Sequence, residues 1–282
     1  MSDATEQAKS LKVTAHGAAM QDRCVPQEVP VAFVYDGTTH AVMMASPTNL
    51  EDFAVGFSFT EGIIASPGEI ESLEVVEQSA GIELRMWLAP HRRHELIARR
   101  RRLAGPTGCG LCGVESLDAA LASPPSVARS TYAVTAGDVS LAMASLAPAQ
   151  GLNQRTRAVH GVGFWTKEQG LVAAAEDVGR HNALDKLIGG LRRNGVDSSA
   201  GVVLLSSRVS VEMVQKTATA GIPILVAVSA PTALALQTAD RAGLTLIAVA
   251  RADGFEVFTH GHRVSDLPSG HTNSKSLSGH AA

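Results

Sequence analysis

Residues 202–250 alternate short, unbroken apolar runs with helical segments, and few architectures accommodate that pattern. Runs at 202–206, 224–229 and 244–250 read as strands; 209–220 and 232–242 read as helices, closed by Gly221 and Gly243. A strand with no polar alternation must be covered on both faces, so these strands are expected to lie parallel in one sheet with crossover helices packed against it. Ligands of such sheets sit at the carboxyl ends of the strands. Unusual polar residues fall at those ends: Ser206, Ser207 and Arg208 after the first strand, with Glu212 and Lys216 one and two helical turns on; Ser229, Pro231 and Thr232 after the second; Arg251, Asp253 and Gly254 after the third. Hydroxyls, arginines and backbone N–H groups at helix starts suit phosphate or another anion. Ser and Thr are also ordinary helix caps, so the coincidence at three ends carries the ligand reading.

The remainder of the 282-residue chain is long enough to add a second unit, and a 45% hydrophobic content supports a substantial core. Four segments are expected: a flexible tail at 1–20, an N-terminal subdomain at 21–128, an α/β subdomain at 129–267 and a disordered Ser/Gly/His-rich tail at 268–282. In the first subdomain, apolar runs at 31–35 and 40–45 flank Asp36-Gly37 as a hairpin. Thr48 and Glu51 are spaced as a capping box ahead of a helix, and 70–76 with 82–88 read as a second strand pair. A helix at 91–102 carries Arg92, Arg93, Arg99, Arg100, Arg101 and Arg102, either a solvated face or a source of guanidinium groups for an anion or a thiolate. Pro124-Pro125 marks the boundary, after which a helix at 136–146 and strands near 157–166 and 171–175 are expected. A net charge of −3 gives no reason to expect a nucleic-acid protein. No apolar h-region follows a basic start, and no run approaches the roughly eighteen apolar residues of a membrane span, so a soluble cytoplasmic protein is expected.

Gly108-Cys109-Gly110-Leu111-Cys112-Gly113 holds two of the three cysteines; Cys24 stands alone, and three thiols are too few for a disulfide framework. Thiols at this spacing can share a metal ion, form a disulfide, or share one transferable sulfur as a persulfide; the bland alternative is that both pack. Glycines around them leave backbone N–H groups uncovered, which favours thiolate and a reactive reading. A second dense cluster, residues 176–186, runs Glu-Asp-Val-Gly-Arg-His-Asn-Ala-Leu-Asp-Lys between a strand and a helix. Asp177 or Asn182 could merely cap that helix. Yet Asp177, Arg180, His181 and Asn182 around Gly179 also suit ligand recognition or proton transfer, with His160 a weaker candidate.

With the cysteine loop, this cluster and the Ser-Ser-Arg-Val-Ser-Val-Glu-Met-Val-Gln-Lys segment from Ser206 to Lys216 in view, residues 29–264 resemble the formate dehydrogenase accessory sulfurtransferase family. The resemblance implies an α/β, cytidine-deaminase-like three-layer fold with parallel strands in the C-terminal half, a smaller α+β N-terminal half, and a homodimer. It implies a sulfurtransferase that accepts sulfur as a persulfide from a cysteine desulfurase. The sulfur then passes to the molybdenum or tungsten bis-guanine-dinucleotide cofactor, a bound substrate, before that cofactor enters apo formate dehydrogenase; no intrinsic metal site is implied. By position, Cys109 would carry the persulfide and Cys112 assist. Ala248, Val249, Ala250, Arg251, Ala252, Asp253 and Gly254 fall where the family contacts the cofactor, and Asp177, Arg180, His181, Asn182, Ser206, Ser207, Arg208, Ser229 and Thr232 complete the expected cofactor site.

Three other classes share parts of this pattern. Pro106 to Cys112 approaches the P-C-x-x-C half of a zinc deaminase signature, but no H-x-E accompanies it: His16, His40, His91 and His94 are followed two residues on by Ala18, Val42, Arg93 and Leu96. A thioredoxin-like oxidoreductase would place C-x-x-C near the start of a compact βαβ unit. The stronger rival is a non-catalytic chaperone that binds and delivers the cofactor, needing the crevice but no nucleophilic thiol.

Overall fold

A computed structural model describes residues 4–103 and 123–267. Strand β1 (Thr5–Thr14) pairs antiparallel with β2 (Gly17–Pro26). These paired strands occupy most of the segment expected as a flexible tail over residues 1–20. The ribbon turns through Ala15 and His16 into Gly17, whose φ of +135° is disfavoured for a residue with a Cβ. Its strands bury little, with Leu11 59%, Val13 71% and Met20 65% exposed, so neither strand carries the inside–outside alternation by which a strand is read.

Strands β3 (Val29–Tyr35), β4 (Thr38–Ala45), β5 (Ile70–Gln78) and β6 (Gly81–Leu88) form a four-stranded sheet in the order β4-β3-β6-β5, antiparallel except for the β3–β6 pair. The expected Asp36-Gly37 hairpin and the second expected strand pair are both present. Helix α1 (Leu50–Thr60) packs on this sheet, with the Phe33 ring stacked on Phe57 at 4.0 Å and edge-on to Phe53 at 4.9 Å. The expected Thr48–Glu51 capping box does not form: Asn49 occupies the N-cap at φ +52°, a conformation Asn tolerates, and no side chain caps the helix. Helix α2 (Pro90–Leu103) is the arginine helix. Arg92 pairs with Glu69 at 2.9 Å and Arg93 with Asp36 at 2.9 Å, so these two guanidinium groups are held by carboxylates of the fold. Burial favours the neutral form of Glu69, but N–H donors from Ala65 and Ser66 with Arg92 and His91 overcome it and lower its pKa to about 2.

The second half contains β7 (Val134–Thr135), α3 (Ala136–Ala149), α4 (Gly151–Thr156), β8 (His160–Thr166), β9 (Gly170–Asp177), α5 (Arg180–Arg193), β10 (Val202–Leu205), α6 (Val211–Thr219), β11 (Ile224–Ala227), α7 (Ala233–Ala242), β12 (Thr245–Arg251), β13 (Gly254–Thr259) and β14 (Val264–Ser265). Its six-stranded sheet runs β13-β12-β11-β10-β8-β9. The expected parallel strands β10, β11 and β12 are its centre, and β13, β8 and β9 extend it antiparallel. Val203, Leu205, Leu225 and Leu246 join the core with α5, α6 and α7, whereas Val202, Leu204, Ile224, Val226 and Ile247 join Val139, Ala142 and Leu146 of α3. Burial on both faces explains the unbroken apolar runs. Thr135 and Asp138 close a capping box on α3.

The halves meet backbone to backbone. A Cβ added to Gly56 of α1 would lie 1.8 Å from the Asp185 carbonyl oxygen of α5, and one added to Gly189 would lie 1.8 Å from that of Asp52. Only glycine permits this approach. Beside it the Lys216 ammonium donates to Thr60 Oγ1 at 2.8 Å, Asp185 Oδ2 at 3.0 Å and Glu61 Oε1 at 3.2 Å, tying α1, α5 and α6. The return from residue 123 is fastened by buried Arg263, which donates to the carbonyls of Val127, Ala128, Ser130 and Gly243 and to Thr245 Oγ1. Val127 already packs in the second core, so the chain has entered the second half by that residue.

Candidate functional site

One edge of the six-stranded sheet collects the polar segments, and topology alone does it. Parallel β10, β11 and β12 bring their carboxyl ends there; β8, antiparallel to β10, brings its first residue, His160; β9 returns its last, Asp177, opposite His160. Helices α5, α6 and α7 begin along the same edge. Their N-caps are Gly179, Ser210 and Thr232, and of these only Thr232 caps with its side chain, accepting the Ala235 N–H at 3.2 Å. The starts of α5 and α6 therefore present backbone donors and the positive ends of their dipoles to whatever lies at the edge.

The 176–186 cluster divides in two. Asp177 is fully buried and its carboxylate accepts the N–H groups of Ser46 (3.0 Å) and Gly179 (2.7 Å), Asn182 Nδ2 (3.0 Å) and Lys186 Nζ (2.6 Å). Asn182 and Lys186 also donate to the carbonyls of Met44 and Ser46. These three side chains face inward and bind the end of β4 to the start of α5. Desolvation pushes the Lys186 pKa down against the opposing pull of Asp177. Arg180 and His181 instead stand half-exposed at the edge, and the Arg180 Nε–H is buried with no hydrogen-bond partner among the described residues. His181 Nε2 lies 3.1 Å from Glu212 Oε2, across from α5 to α6.

Neighbouring positions follow the same edge. Ser206 exchanges bonds with Gly161, accepting its N–H on Oγ at 2.9 Å and donating its own N–H to the Gly161 carbonyl at 3.0 Å, which sets His160 beside it. Ser207 is buried and donates to the Arg208 carbonyl; Arg208 is exposed. His160 is within electrostatic reach of Arg180, His181, Arg208 and Asp177. Burial first, and Arg180 next, push both His160 and His181 below the ordinary imidazole pKa, so both are neutral near pH 7. Ser229 accepts the Val249 N–H at 3.4 Å on its carbonyl. At the end of β12, Ala248 and Ala250 are buried, and Arg251, Ala252, Asp253 and Gly254 form the exposed turn into β13. Val249 between the two alanines has φ +52° within a break in strand register. A β-branched residue in that region is strained, a feature concentrated at functional sites. Nothing in the sequence announces it.

The structure thus brings His160, residues 177–182, 206–208, 229–232 and 248–254 to one edge, while Cys109 and Cys112 lie outside the described residues. Reading from the residues does not single out Ser46, which arrives from the other half to hold Asp177, and Val249 enters only through the family resemblance, with no sign of its strain. Among the described residues no three His, Cys, Asp or Glu side chains converge as a metal site, and no helix is long and apolar enough to cross a membrane.

Helix starts, arginines and histidines ranged along the carboxyl edge of a mixed α/β sheet are groups whose chemistry suits an anionic ligand. The chain belongs to the FdhD/NarQ family, whose sequence profile matches residues 26–265. It is 54% identical over 246 residues to the sulfur carrier protein FdhD of Agrobacterium fabrum, covering 87% of this chain and 91% of that one. It is 50% identical over 248 residues to that of Brucella abortus, covering 88% and 92%. The fold is similar to the crystal structure of a formate dehydrogenase accessory protein from Desulfotalea psychrophila, with a TM-score of 0.71 and 26% identity over 93% of this chain and all of that one.

Proposed function

We propose that this protein is a sulfurtransferase serving formate dehydrogenase. It takes sulfur as a persulfide on Cys109 from a cysteine desulfurase and passes it to a molybdenum or tungsten bis-guanine-dinucleotide cofactor held along the sheet edge. The observation that carries the reading is the length and chemistry of that edge. From β9 to β12 it spans four strand spacings, about 19 Å. It offers two helix starts without side-chain caps, Arg180 and Arg208. A ligand with several phosphates and two flat base ends needs such a run of donors, which a single mononucleotide would leave partly unused.

The chemistry is thiol exchange. Cys109 thiolate attacks the outer sulfur of the donor persulfide and displaces the desulfurase thiolate, so Cys109 becomes the persulfide. Cys112 thiolate then attacks the Cys109 sulfur, the outer sulfur departs as hydrosulfide toward the metal of the bound substrate, and a Cys109–Cys112 disulfide remains for reduction by a cellular thiol. Arg180 and Arg208 hold phosphate groups of that substrate, and the turn at residues 251–254 closes its far end. A homodimer in the cytoplasm belongs to the same proposal.

Intact-protein mass spectrometry after incubation with a cysteine desulfurase and cysteine tests the carrier step. A gain of one sulfur, about 32 Da, released by reductant and absent in Cys109→Ser, is expected. No gain in the wild type, with guanine-nucleotide binding intact, would replace this reading with that of a delivery chaperone.

A further inference from the structure

His181 invites a simple assignment as a cationic contact for phosphate, and its neighbours argue against it. It is the second residue of α5, and Glu212 is the second residue of α6, so the two side chains meet where adjacent helices begin. Glu212 Oε2 accepts Ser210 Oγ at 2.9 Å and lies 3.1 Å from His181 Nε2. Although burial opposes ionisation, the Ser210 hydroxyl and His181 hold the Glu212 carboxyl below its usual range. An ionised carboxylate only accepts hydrogen bonds, so Nε2 must carry the hydrogen. The Glu212 carboxylate favours a second proton on the ring, but burial first, then Arg180 beside it, with Lys216 one turn further along α6, outweigh that pull and keep the ring below the ordinary imidazole pKa. A neutral ring with hydrogen on Nε2 has a bare lone pair on Nδ1, and Nδ1 has no partner among the described residues.

We propose that Glu212 is a positioning residue: it fixes His181 in the Nε2–H tautomer, so that Nδ1 accepts a hydrogen bond from a ring N–H of the ligand. The ligand chemistry this selects is the 2-amino-4-oxo-pyrimidine edge, an N–H beside an amino group. Guanine and pterin share that edge, and the diester phosphates within a dinucleotide have no hydrogen to offer at neutral pH. The proposal rests on the cofactor-binding reading above and adds to it the division of labour at the edge, with Arg180 and Arg208 for phosphate and His181 for a base or pterin.

Two measurements on the full-length protein decide it. Nitrogen-15 NMR of the imidazoles, with His181→Ala for assignment, should show His181 neutral with hydrogen on Nε2 at pH 7.5, and Glu212→Ala should abolish that preference without lowering the melting temperature. In calorimetric titrations, Glu212→Ala and His181→Ala should each weaken guanosine diphosphate by about fivefold, the worth of one hydrogen bond. Neither should change the affinity for pyrophosphate, and adenosine diphosphate should bind Glu212→Ala as it binds wild type. The same comparison with a free pterin assigns the source: a fivefold loss for the pterin alone would place the pterin, not guanine, at His181. A cationic or Nδ1–H His181 in the wild type overturns the proposal. So does Glu212→Ala with unaltered affinity for both ring ligands. Wild type that binds neither ring ligand would sink the cofactor reading, and the tautomer would still judge Glu212's part in isolation.

Discussion

Two hydrogen-bonded pairs stand little more than one helical turn apart on α5 and behave as opposites. Lys186 and Asp177 meet at 2.6 Å with both side chains fully buried, and every bond they make is to the fold. His181 and Glu212 meet at 3.1 Å with 31% and 49% of their side chains exposed at the sheet edge. The same stretch of polar sequence therefore supplies a fastener between the two halves and a piece of the candidate site. Because the fastener pins β4 to the start of α5, it also fixes where Arg180 and His181 project. A buried pair of this kind costs much to desolvate, and breaking it strands a charge.

Removing one partner of the inner pair should have the largest effect. Lys186→Ala is expected to lose about 3–5 kcal/mol in urea unfolding, because Asp177 is left charged in the core. A loss below about 1 kcal/mol would mean that the two halves do not depend on the pair. Next comes the helix contact beside it. Gly189→Ala places a methyl group against the Asp52 carbonyl and should cost about 2–3 kcal/mol by forcing α1 away from α5. The outer region should respond in binding instead. Arg180→Ala is expected to weaken guanosine diphosphate about tenfold, with stability changed by less than about 0.5 kcal/mol. Equal losses of stability in Arg180→Ala and Lys186→Ala would erase the distinction between the inward-facing and edge-facing parts of the cluster.

The smallest effect is expected away from both, at Glu69, whose pKa is about 2 against an ordinary 4.5. A depressed carboxyl contributes stability above the unfolded pKa and loses it as pH falls through the folded one. Glu69→Gln should therefore cost about 1 kcal/mol at pH 7, with the gap to wild type closing between pH 4.5 and 2. Thermal melts across that range check the sign.

Much of this molecule is legible before any coordinates. The unbroken apolar runs at 202–206, 224–229 and 244–250 announce strands buried on both faces, and Asp36-Gly37 announces its hairpin. Polar residues at three strand ends announce the edge. The first ribbon escaped because its strands are exposed on both sides and show no alternation. The helix at Leu50 was anticipated with the wrong cap, because Asn49 took up a positive φ instead of Thr48 bonding to a later N–H.

Local sequence by itself determined the buried parallel strands, the helices between them and the Asp36-Gly37 turn, since periodicity and backbone preference act over a few positions. It also determined that polar residues gather along one sheet edge, because parallel strands end together. Only the tertiary structure decided which polar residues serve the site. Ser46 and Met44 approach from about 130 residues away to satisfy Asp177 and Asn182, turning them inward. Glu212 reaches His181 because two helices start side by side, and Val249 is strained because a strand breaks register. Whether a polar group faces a ligand or the core depends on which partners arrive from distant segments, and no local pattern encodes their arrival.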